Sequence, residues 1–429
     1  MTGIAQLHEK FLTTTGVCTD SRKLAEGCMF FALKGENFNG NQYAAEALQQ
    51  GATYAVVDED VDAPADKTLR VENVLKALQE LAAFHRRYLG LTILAITGTN
   101  GKTTTKELVT AALSQKFKTA ATQGNLNNHI GVPLTLLGMG KSTQMGVVEM
   151  GANHPCEIAQ LCAIAQPNAG LITNVGKAHL EGFGSFEGVK KTKAELYDYL
   201  AKTGGQVFAL SESADLQEML RKHGVKNAVT YGVKEYGASV QPETDSQPFL
   251  ALRMGGVLWQ TKLVGGYNVP NVLAAVAVGR YFGVSDEKIR EGIENYVPQN
   301  NRSQLLKTAN NTVVMDAYNA NPTSMAAAVA NFARMQAERK LLMLGDMLEL
   351  GKDAHAEHQK LVEQLEQLKL KNAYLVGEFF CEAAKNSAYK TFESSDSLCE
   401  YLKKEQPKGC TILVKGSRGI KLEKVKEWL

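Results

Sequence analysis

The sequence lacks the features that mark secreted, membrane-spanning and nucleic-acid-binding proteins. Its 429 residues include only seven scattered cysteines and no CxxC pair, so we do not expect a disulfide framework. No apolar run approaches the length that spans a bilayer, and no signal-peptide pattern opens the chain. A net charge of +2 gives no reason to expect a nucleic-acid partner. We therefore expect a cytoplasmic protein with reduced thiols, without membrane or nucleic-acid partners.

What the chain does contain is a repeated alternation of strand-like and helix-like segments, which predicts an α/β fold with parallel sheets. Helical periodicity marks Thr104–Ser114, Ala274–Phe282 and Ser324–Gln336. Strands are predicted at Thr53–Val57, Thr92–Ile96, Met145–Val148, Gly170–Thr173, Val207–Leu210, Val313–Asp316, Leu341–Leu344 and Thr411–Val414.

The length of the chain predicts more than one domain, because a single hydrophobic core rarely serves so many residues. We expect boundaries near Tyr88–Leu91 and in the polar stretch Val297–Gln304. The expected domains are therefore residues 1–90, 91–298 and 299–429. A polar, proline-containing piece at Gln241–Gln247 is predicted to be a hairpin or a surface loop.

A glycine-rich segment directly after the predicted strand Thr92–Ile96 indicates a phosphate-binding loop. Glycines let backbone N–H groups approach phosphate oxygens, the lysine reaches the β- and γ-phosphates, and a threonine hydroxyl binds Mg²⁺. The strict GxxxxGK[ST] pattern fails at Ile96, and a glycine-rich turn with a chance lysine is the alternative. The residues expected to hold the nucleotide are Gly98, Thr99, Asn100, Gly101, Lys102, Thr103 and Thr104.

This short form of the loop resembles the Mur ligase and folylpolyglutamate synthetase superfamily, and further motifs resemble the D-alanyl-D-alanine-adding branch of the Mur ligase family. Two motifs near the N-terminus, Asp20–Lys23 and Phe31–Gly35, resemble that branch's UDP-binding domain. The others follow in the expected order: Gly124–Thr135, Glu149–His154, Ala178–Ser185, Asp316–Pro322, Gly345–Gly351 and Val414–Arg418.

The resemblance implies three α/β domains: a UDP-muramoyl-binding domain, a central P-loop-type parallel-sheet ATPase domain, and a Rossmann-like C-terminal domain. It also implies ATP and Mg²⁺ as cofactors, with UDP-N-acetylmuramoyl-tripeptide and D-Ala-D-Ala as substrates. We expect a monomer. The tripeptide carboxylate would form an acyl phosphate that the dipeptide amine attacks. Alternatives are a ligase of the same family with another substrate, a P-loop NTPase that switches partners, and a non-catalytic scaffold.

The resemblance implies a metal site made from Thr103, Glu149, His179 and Lys193. Glu149 ends an apolar strand, where a carboxylate is costly to bury unless it is paired or metal-bound. Magnesium prefers oxygen ligands, so chemistry alone would not select His179. Composition places Lys193 on a solvated helix face, whereas the resemblance implies a carbamylated lysine that bridges the second Mg²⁺.

The resemblance also assigns the remaining ATP contacts. Asn271 would lie near the adenine, although capping of a helix start is an equal alternative. Arg302 would contact the γ-phosphate and, with Lys102, His179 and Lys193, complete the catalytic set. Asp316 would bind the ribose. The family's usual Pro-Gly-Arg turn is replaced here by Gln-Asn-Asn before Arg302.

The substrate contacts implied by the resemblance lie in loops that follow predicted strands, where α/β folds place ligands. Turn formation is the alternative for the asparagines. His355 and His358 have the wrong spacing for a metal motif, so we interpret them as surface or structural residues. We expect the unliganded protein to be open, with Arg302 and Asp316 far from Lys102. The candidate substrate contacts are Ser21, Arg22, Lys34, Tyr318, Asn319, Asn321, Lys415, Ser417 and Arg418.

Overall fold

The computed structural model describes residues 1–243, 248–299 and 301–429, and it contains three main sheets in succession along the chain. Each predicted strand and helix is present, with ends that differ by a few residues. Part of the predicted hairpin or surface loop, residues 244–247, lies outside the described residues, and so does Asn300 in the second predicted boundary.

The first sheet has four parallel strands and is followed by a long helix that leads into the second sheet. Its elements are α1 (Ile4–Phe11), β1 (Val17–Cys18), β2 (Met29–Phe31), the ribbon β3 (Lys34–Gly35) and β4 (Phe38–Asn39), α2 (Ala44–Gln49), β5 (Tyr54–Val57), β6 (Thr68–Arg70) and α3 (Val74–Leu89). The strand order is β1-β2-β5-β6.

The second sheet has six parallel strands. They are β7 (Thr92–Thr97), β8 (Thr119–Ala121), β9 (Met145–Glu149), β10 (Ala169–Ile172), β11 (Gln206–Leu210) and β12 (Ala228–Tyr231). Their order in the sheet is β12-β11-β10-β7-β9-β8. Its helices are α4 (Lys102–Leu113), α5 (Gly131–Leu137), α6 (Glu157–Ala165), α7 (Leu180–Phe183), α8 (Phe186–Thr203), α9 (Ala214–Lys222), α10 (Val269–Tyr281) and α11 (Asp286–Asn295). A small antiparallel sheet precedes α10, with β13 (Ser239–Val240), β14 (Ala251–Met254) and β15 (Val257–Gln260).

The third sheet has the Rossmann-like form that the family resemblance implies, with one antiparallel edge strand. Its elements are β16 (Gln304–Lys307), β17 (Thr312–Asp316), α12 (Pro322–Arg334), β18 (Lys340–Gly345), α13 (Ala354–Gln367), β19 (Ala373–Val376), α14 (Glu378–Ala383), β20 (Lys390–Phe392), α15 (Ser395–Glu405) and β21 (Thr411–Lys415). The strand order is β16-β17-β21-β18-β19-β20, and only β16 runs antiparallel to its neighbour among these described strands.

Strand β7 shows why the sheets are buried on both faces. Successive side chains of a strand point to opposite faces, and both faces of β7 are apolar. Ile93 and Ala95 join a core that also contains Leu81 of α3. Leu94 and Ile96 join a second core with helix α10, which is buried from Asn271 to Gly279. The first core also takes in side chains of the first sheet, so the first two sheets are joined by continuous packing.

Polar residues set where these elements begin and end. The Asn73 side chain accepts a hydrogen bond from the Lys76 backbone N–H at 2.8 Å, which caps α3. Gly90 then ends α3 in the left-handed conformation, with φ 62°. No helix among the described residues combines the length and apolarity that a membrane crossing needs.

Candidate functional site

The main cavity, of about 800 Å³, lies where the carboxyl ends of the second and third sheets face each other. Ligands in open α/β sheets bind at such carboxyl ends. Loops after β7, β9 and β10 line one side, and loops after β17, β18 and β21 line the other. The predicted residues that line the cavity are Thr99, Asn100, Gly101, Lys102, Thr103, Thr104, Glu149, His179, Asn271, Arg302, Asp316, Tyr318, Asn319, Asn321, Lys415, Ser417 and Arg418.

The glycine-rich segment between β7 and α4 forms a tight loop under this cavity. Gly98 and Gly101 have φ values of 142° and 77°, which disfavour any residue with a Cβ atom. A Cβ at Gly101 would lie 2.6 Å from Asn271 Oδ1. The Lys102 ammonium folds back and donates to the carbonyls of Gly98 at 2.8 Å and Thr99 at 3.0 Å. Burial lowers the pKa of Lys102 to about 8.

Glu149 is buried at the end of β9, as the sequence predicts. Its Oε1 accepts a hydrogen bond from Asn127 Nδ2 at 2.8 Å, whereas its Oε2 is buried without a hydrogen-bond partner among the described residues. An unpaired buried carboxylate oxygen is costly, and it fits a cation that arrives with the nucleotide. Within the described ranges, no group of three or more His, Cys, Asp or Glu side chains forms a metal cage. Thr103 also lines the cavity, and its hydroxyl is a second hard oxygen donor of the kind that suits Mg²⁺.

His179 and Glu349 meet across the cavity. Both have left-handed backbones, with φ values of 49° and 64°, and the Nδ1 atom of His179 pairs with the Glu349 carboxylate. Burial lowers the pKa of His179, although the carboxylate opposes that shift. One ring nitrogen of the predicted metal-site histidine is therefore directed at the third sheet.

Lys193 is buried in α8, with only 2% of its surface exposed, so the interpretation as a solvated helix face is wrong. Its Nζ lies 3.5 Å from the Ala152 carbonyl and 5.5 Å from the Phe183 ring centre. Burial, helped by the charge of Lys102, lowers the pKa of Lys193 to about 7. The amine is thus substantially neutral near physiological pH, which is the form that reacts with CO₂. Lys193 does not itself line the cavity.

Asn271 ties helix α10 to helix α4 and does not cap a helix. Its Oδ1 accepts from Thr105 Oγ1 at 3.0 Å, and its Nδ2 donates to Asn268 Oδ1 at 2.9 Å. Asn268 occupies the position before the first residue of α10, without a side-chain cap. The capping alternative is therefore wrong, and the asparagine lines the cavity beside Gly101.

On the opposite side of the cavity, Arg302 stacks on Tyr318. Its guanidinium carbon lies 3.7 Å from the ring centre, and that of Arg418 lies 5.5 Å from the same centre. Asn301 and Ser303 on either side have left-handed backbones, with φ values of 56° and 47°. These residues turn the chain without the family's usual Pro-Gly and bring Arg302 to the cavity.

Asp316 and Lys415 form a buried pair at the ends of β17 and β21. The Lys415 Nζ lies 2.6 Å from Asp316 Oδ2 and 3.3 Å from the Asn319 carbonyl. The other Asp316 oxygen accepts from the Ser303 backbone N–H at 3.1 Å. Asp316 and Lys415, which are both predicted to contact ligands, therefore form an ion pair with each other.

Asn321 and Ser417 have structural roles as well as positions on the cavity. Asn321 caps α12, and its side chain accepts from the Ser324 backbone N–H at 3.0 Å. Ser417 Oγ accepts from the Leu348 backbone N–H at 2.9 Å. That contact fixes the loop that carries Glu349.

The structure differs from the open arrangement that we expect for the unliganded protein. Arg302 and Asp316 line the same cavity as Lys102, and the charge of Arg302 helps to lower the pKa of Lys102. Lys177 also pairs with Glu357 of α13 at 3.2 Å. The closed arrangement is held by polar contacts between the second and third sheets.

The predicted residues of the first sheet lie away from this cavity. Ser21, Arg22 and Lys34 are not among its lining residues. Arg22 pairs with Asp20 at 2.8 Å, and Lys34 pairs with Asp58 at 2.9 Å. The cavity therefore does not bring the candidate UDP contacts together with the phosphate loop.

His355 and His358 are surface or structural residues, which confirms their interpretation. His358 is fully buried; its Nε2 accepts from the Met347 backbone N–H at 3.0 Å, and its ring also lies 2.7 Å from the Ala354 carbonyl. His355 is exposed and pairs with Glu382. Sequence reasoning missed Asn127 and Glu349 as individual residues, although both lie inside motifs that it singled out.

Comparisons with known proteins agree with this arrangement. Three family descriptions match in order: "Mur ligase family, catalytic domain" over residues 13–86, "Mur ligase middle domain" over 96–279, and "Mur ligase, glutamate ligase domain" over 301–418. The UDP-N-acetylmuramoyl-tripeptide--D-alanyl-D-alanine ligase of Bacillus subtilis (strain 168) is 33% identical, covering 96% of this chain and 92% of that protein.

Solved structures show the same fold over nearly the whole chain. A crystal structure of MurF from Acinetobacter baumannii superposes with a TM-score of 0.85 at 31% identity, covering 96% of this chain and 92% of that one. MurF ligase from Thermotoga maritima in complex with ADP superposes with a TM-score of 0.84 at 28% identity, covering 97% of both chains. Sequence relationship and structure thus lead to one conclusion: the chain belongs to the Mur ligase family.

Proposed function

We propose that this chain is an ATP-dependent ligase that joins D-alanyl-D-alanine to UDP-N-acetylmuramoyl-tripeptide and gives the UDP-muramoyl-pentapeptide precursor of peptidoglycan. The similar proteins carry that name at about full length, and a similar structure holds ADP. The observation that carries the proposal is the single cavity shared by the phosphate loop, the half-paired Glu149 and the cationic loops of the third sheet. We expect a cytoplasmic monomer with domains near residues 1–90, 91–298 and 299–429.

The reaction would run in two displacements. A carboxylate oxygen of the tripeptide attacks the γ-phosphorus of ATP, and ADP leaves. The dipeptide amine then attacks the acyl carbon, phosphate leaves, and the attacking nitrogen loses a proton. The closed cavity suits this chemistry, because an acyl phosphate is hydrolysed by water that reaches it.

The residues of this chain have distinct tasks in that scheme. Lys102 and Arg302 lie on opposite sides of the cavity and would hold the γ-phosphoryl group as charge develops on it. For Lys102, this requires the ammonium to exchange the Gly98 carbonyl for phosphate oxygens. Backbone N–H groups from Gly101 to Thr104, at the start of α4, would bind the other phosphates, whereas the N–H groups of Thr99 and Asn100 donate to Asn174. Asn271 would contact the adenine.

Thr103, Glu149, His179 and Lys193 would hold Mg²⁺. When bound, Mg²⁺ neutralises phosphate charge and orients the reacting groups. Carbamylation would supply the carboxylate of Lys193: the neutral amine bonds to the carbon of CO₂ and releases one proton. Its pKa of about 7 supports that step.

The remaining residues would bind the other groups of the substrates. Asp316 is proposed to bind the ribose, which requires the ribose hydroxyl to share or displace the Lys415 contact. Tyr318, Asn319, Asn321, Lys415, Ser417 and Arg418 would position the dipeptide and the reacting carboxylate. Ser21, Arg22 and Lys34 would contact the UDP-muramoyl group from the first sheet.

The test is phosphate release from ATP with each substrate omitted in turn. The ligase proposal requires release that depends on both UDP-muramoyl-tripeptide and D-Ala-D-Ala, with a UDP-pentapeptide product. Release without either substrate favours a partner-switching NTPase. Release that requires the tripeptide and a different amino component retains the ligase and overturns the substrate assignment.

A further inference from the structure

A fully buried lysine near the phosphate loop has no task in the scheme above. Lys106 lies one turn after Lys102 on α4 and is 1% exposed. A buried ammonium group is costly unless it is well partnered. Its Nζ lies 2.8 Å from Glu107 Oε1 and donates to the Thr122 carbonyl at 2.5 Å.

Thr122 is the point where the edge strand β8 leaves the sheet. It is fully buried, and its backbone N–H donates to the Val147 carbonyl at 3.0 Å. Its hydroxyl Oγ1 accepts from the Glu149 backbone N–H at 2.9 Å. Thr122 therefore touches Lys106 through its carbonyl and Glu149 through its hydroxyl.

The segment that begins at Thr122 returns to Glu149 five residues later. Asn127 Nδ2 donates to Glu149 Oε1 at 2.8 Å, and the Asn127 carbonyl accepts from the Gly151 N–H at 2.8 Å. Residues 122–127 thus contact both the backbone and the carboxylate of Glu149. Because β8 is an edge strand with one neighbour, Lys106 provides its anchor to helix α4.

We infer that Lys106 is a positioning residue that holds the Glu149 carboxylate in register with the phosphate loop, acting through Thr122. Lys102, Thr103 and Lys106 share one helix, so the same rigid element carries the phosphate-binding residues and the anchor of the metal-binding carboxylate. This inference rests on the proposed role of Glu149 in binding Mg²⁺. Loss of a group that orients a metal ligand typically lowers metal affinity about 10- to 100-fold.

The test measures binding of Mn²⁺ to the full-length protein in the presence of ADP by electron paramagnetic resonance. Lys106→Met keeps the length of the side chain and removes the ammonium group. We expect Mn²⁺ affinity to fall about tenfold or more, as for other outer-sphere changes, with a matching rise in the Mg²⁺ concentration needed for half-maximal activity. ADP affinity without metal should change little.

Lys116→Met is the matched control. Lys116 follows the same helix and donates to the carbonyls of Phe282 at 3.2 Å and Gly283 at 2.9 Å, remote from Glu149. Its loss should leave Mn²⁺ affinity unchanged. If Lys106→Met merely lowers thermal stability and also leaves Mn²⁺ affinity unchanged, the inference is overturned.

Two further variants separate the possible failures. Glu149→Gln tests the proposed metal role directly: unchanged Mn²⁺ affinity there defeats the assignment of Glu149 and the inference with it. Thr122→Val keeps the carbonyl that Lys106 contacts and removes the hydroxyl that holds Glu149. Thr122→Val should weaken Mn²⁺ binding, and it provides the test if Lys106→Met does not fold. Wild-type Mn²⁺ affinity in Thr122→Val would refute the connection through Thr122.

Discussion

Asn100 in the phosphate loop and Asn321 at the start of α12 face each other with their side-chain amides. Asn321 Nδ2 donates to Asn100 Oδ1 at 2.7 Å, and Asn100 Nδ2 lies 3.4 Å from Asn321 Oδ1. The same Asn321 oxygen caps α12. One residue therefore stabilises a helix of the third sheet and joins that sheet to the nucleotide loop of the second.

Replacing Asn321 by serine should separate these two roles. Serine caps helices about as well as asparagine, so the contribution of the cap to the free energy of unfolding should change by less than about 0.5 kcal/mol. The amide contact with Asn100 is lost, and we expect a larger radius of gyration without nucleotide by small-angle X-ray scattering. Asn321→Ala should show the same expansion and also lose about 1 kcal/mol of stability. A radius of gyration equal to that of the wild type in both variants would show that other contacts hold the closed form.

Lys193 should make activity depend on dissolved CO₂. Its pKa, lowered from 10.5 to about 7 by burial, means that the reactive neutral amine predominates above pH 7 and is depleted below it. We expect activity to fall at least about tenfold in CO₂-free buffer at pH 8 and to recover when bicarbonate is added. A carbamate signal from ¹³C-bicarbonate by nuclear magnetic resonance, absent in Lys193→Gln, would be the direct observation. Full activity without bicarbonate would contradict the assignment.

Lys193 also shows which parts of the site could be read from the sequence. The buried residues Val189, Lys193, Leu196 and Leu200 lie on one face of α8. Helical periodicity therefore indicates a buried position for Lys193, although the charged residues next to it suggest an exposed one. Glu149 was more easily predicted, because the uninterrupted apolar run before it requires a buried strand.

Other features of the site were beyond sequence reasoning. Glu349 lies in a loop of the third sheet, and nothing near it in the chain indicates that it meets His179. That contact exists only because the second and third sheets close on each other. The position of Arg302 likewise depends on left-handed backbones at Asn301 and Ser303, two residue types for which local propensity gives only a weak expectation of that conformation.

Tyr318 should be needed for its ring and not for its hydroxyl. Arg302 stacks on that ring at 3.7 Å, and cation–π contacts of this kind are worth about 0.5–2 kcal/mol. Tyr318→Ala should therefore lower kcat/KM for ATP about two- to thirtyfold, whereas Tyr318→Phe should stay close to the wild-type value. Steady-state kinetics at saturating tripeptide and dipeptide would measure both. Equal losses in the two variants would mean that the hydroxyl, and not the stacked ring, is required.

The buried pair His8 and His85 should make the protein less stable in mild acid. His85 Nε2 lies 2.9 Å from the Met139 carbonyl and must donate to it, so His85 Nδ1 accepts from His8 Nε2 at 3.0 Å. Burial lowers the pKa of both rings. Below pH 6.5, the ordinary pKa of histidine, the unfolded chain therefore binds protons that the folded chain does not bind. The free energy of unfolding consequently decreases as pH drops from 7 to 5.

His85→Gln provides the test of that pH dependence. Glutamine can donate to the Met139 carbonyl and accept from His8, yet its side chain does not titrate. Urea unfolding at pH 7 and pH 5 should show a smaller loss of stability in the variant than in the wild type. The other histidines are present in both proteins, so the comparison isolates the effect of replacing the His85 ring. An equal loss in the two proteins would place the acid sensitivity elsewhere and leave the pair as a neutral link between α1, α3 and the Met139 carbonyl.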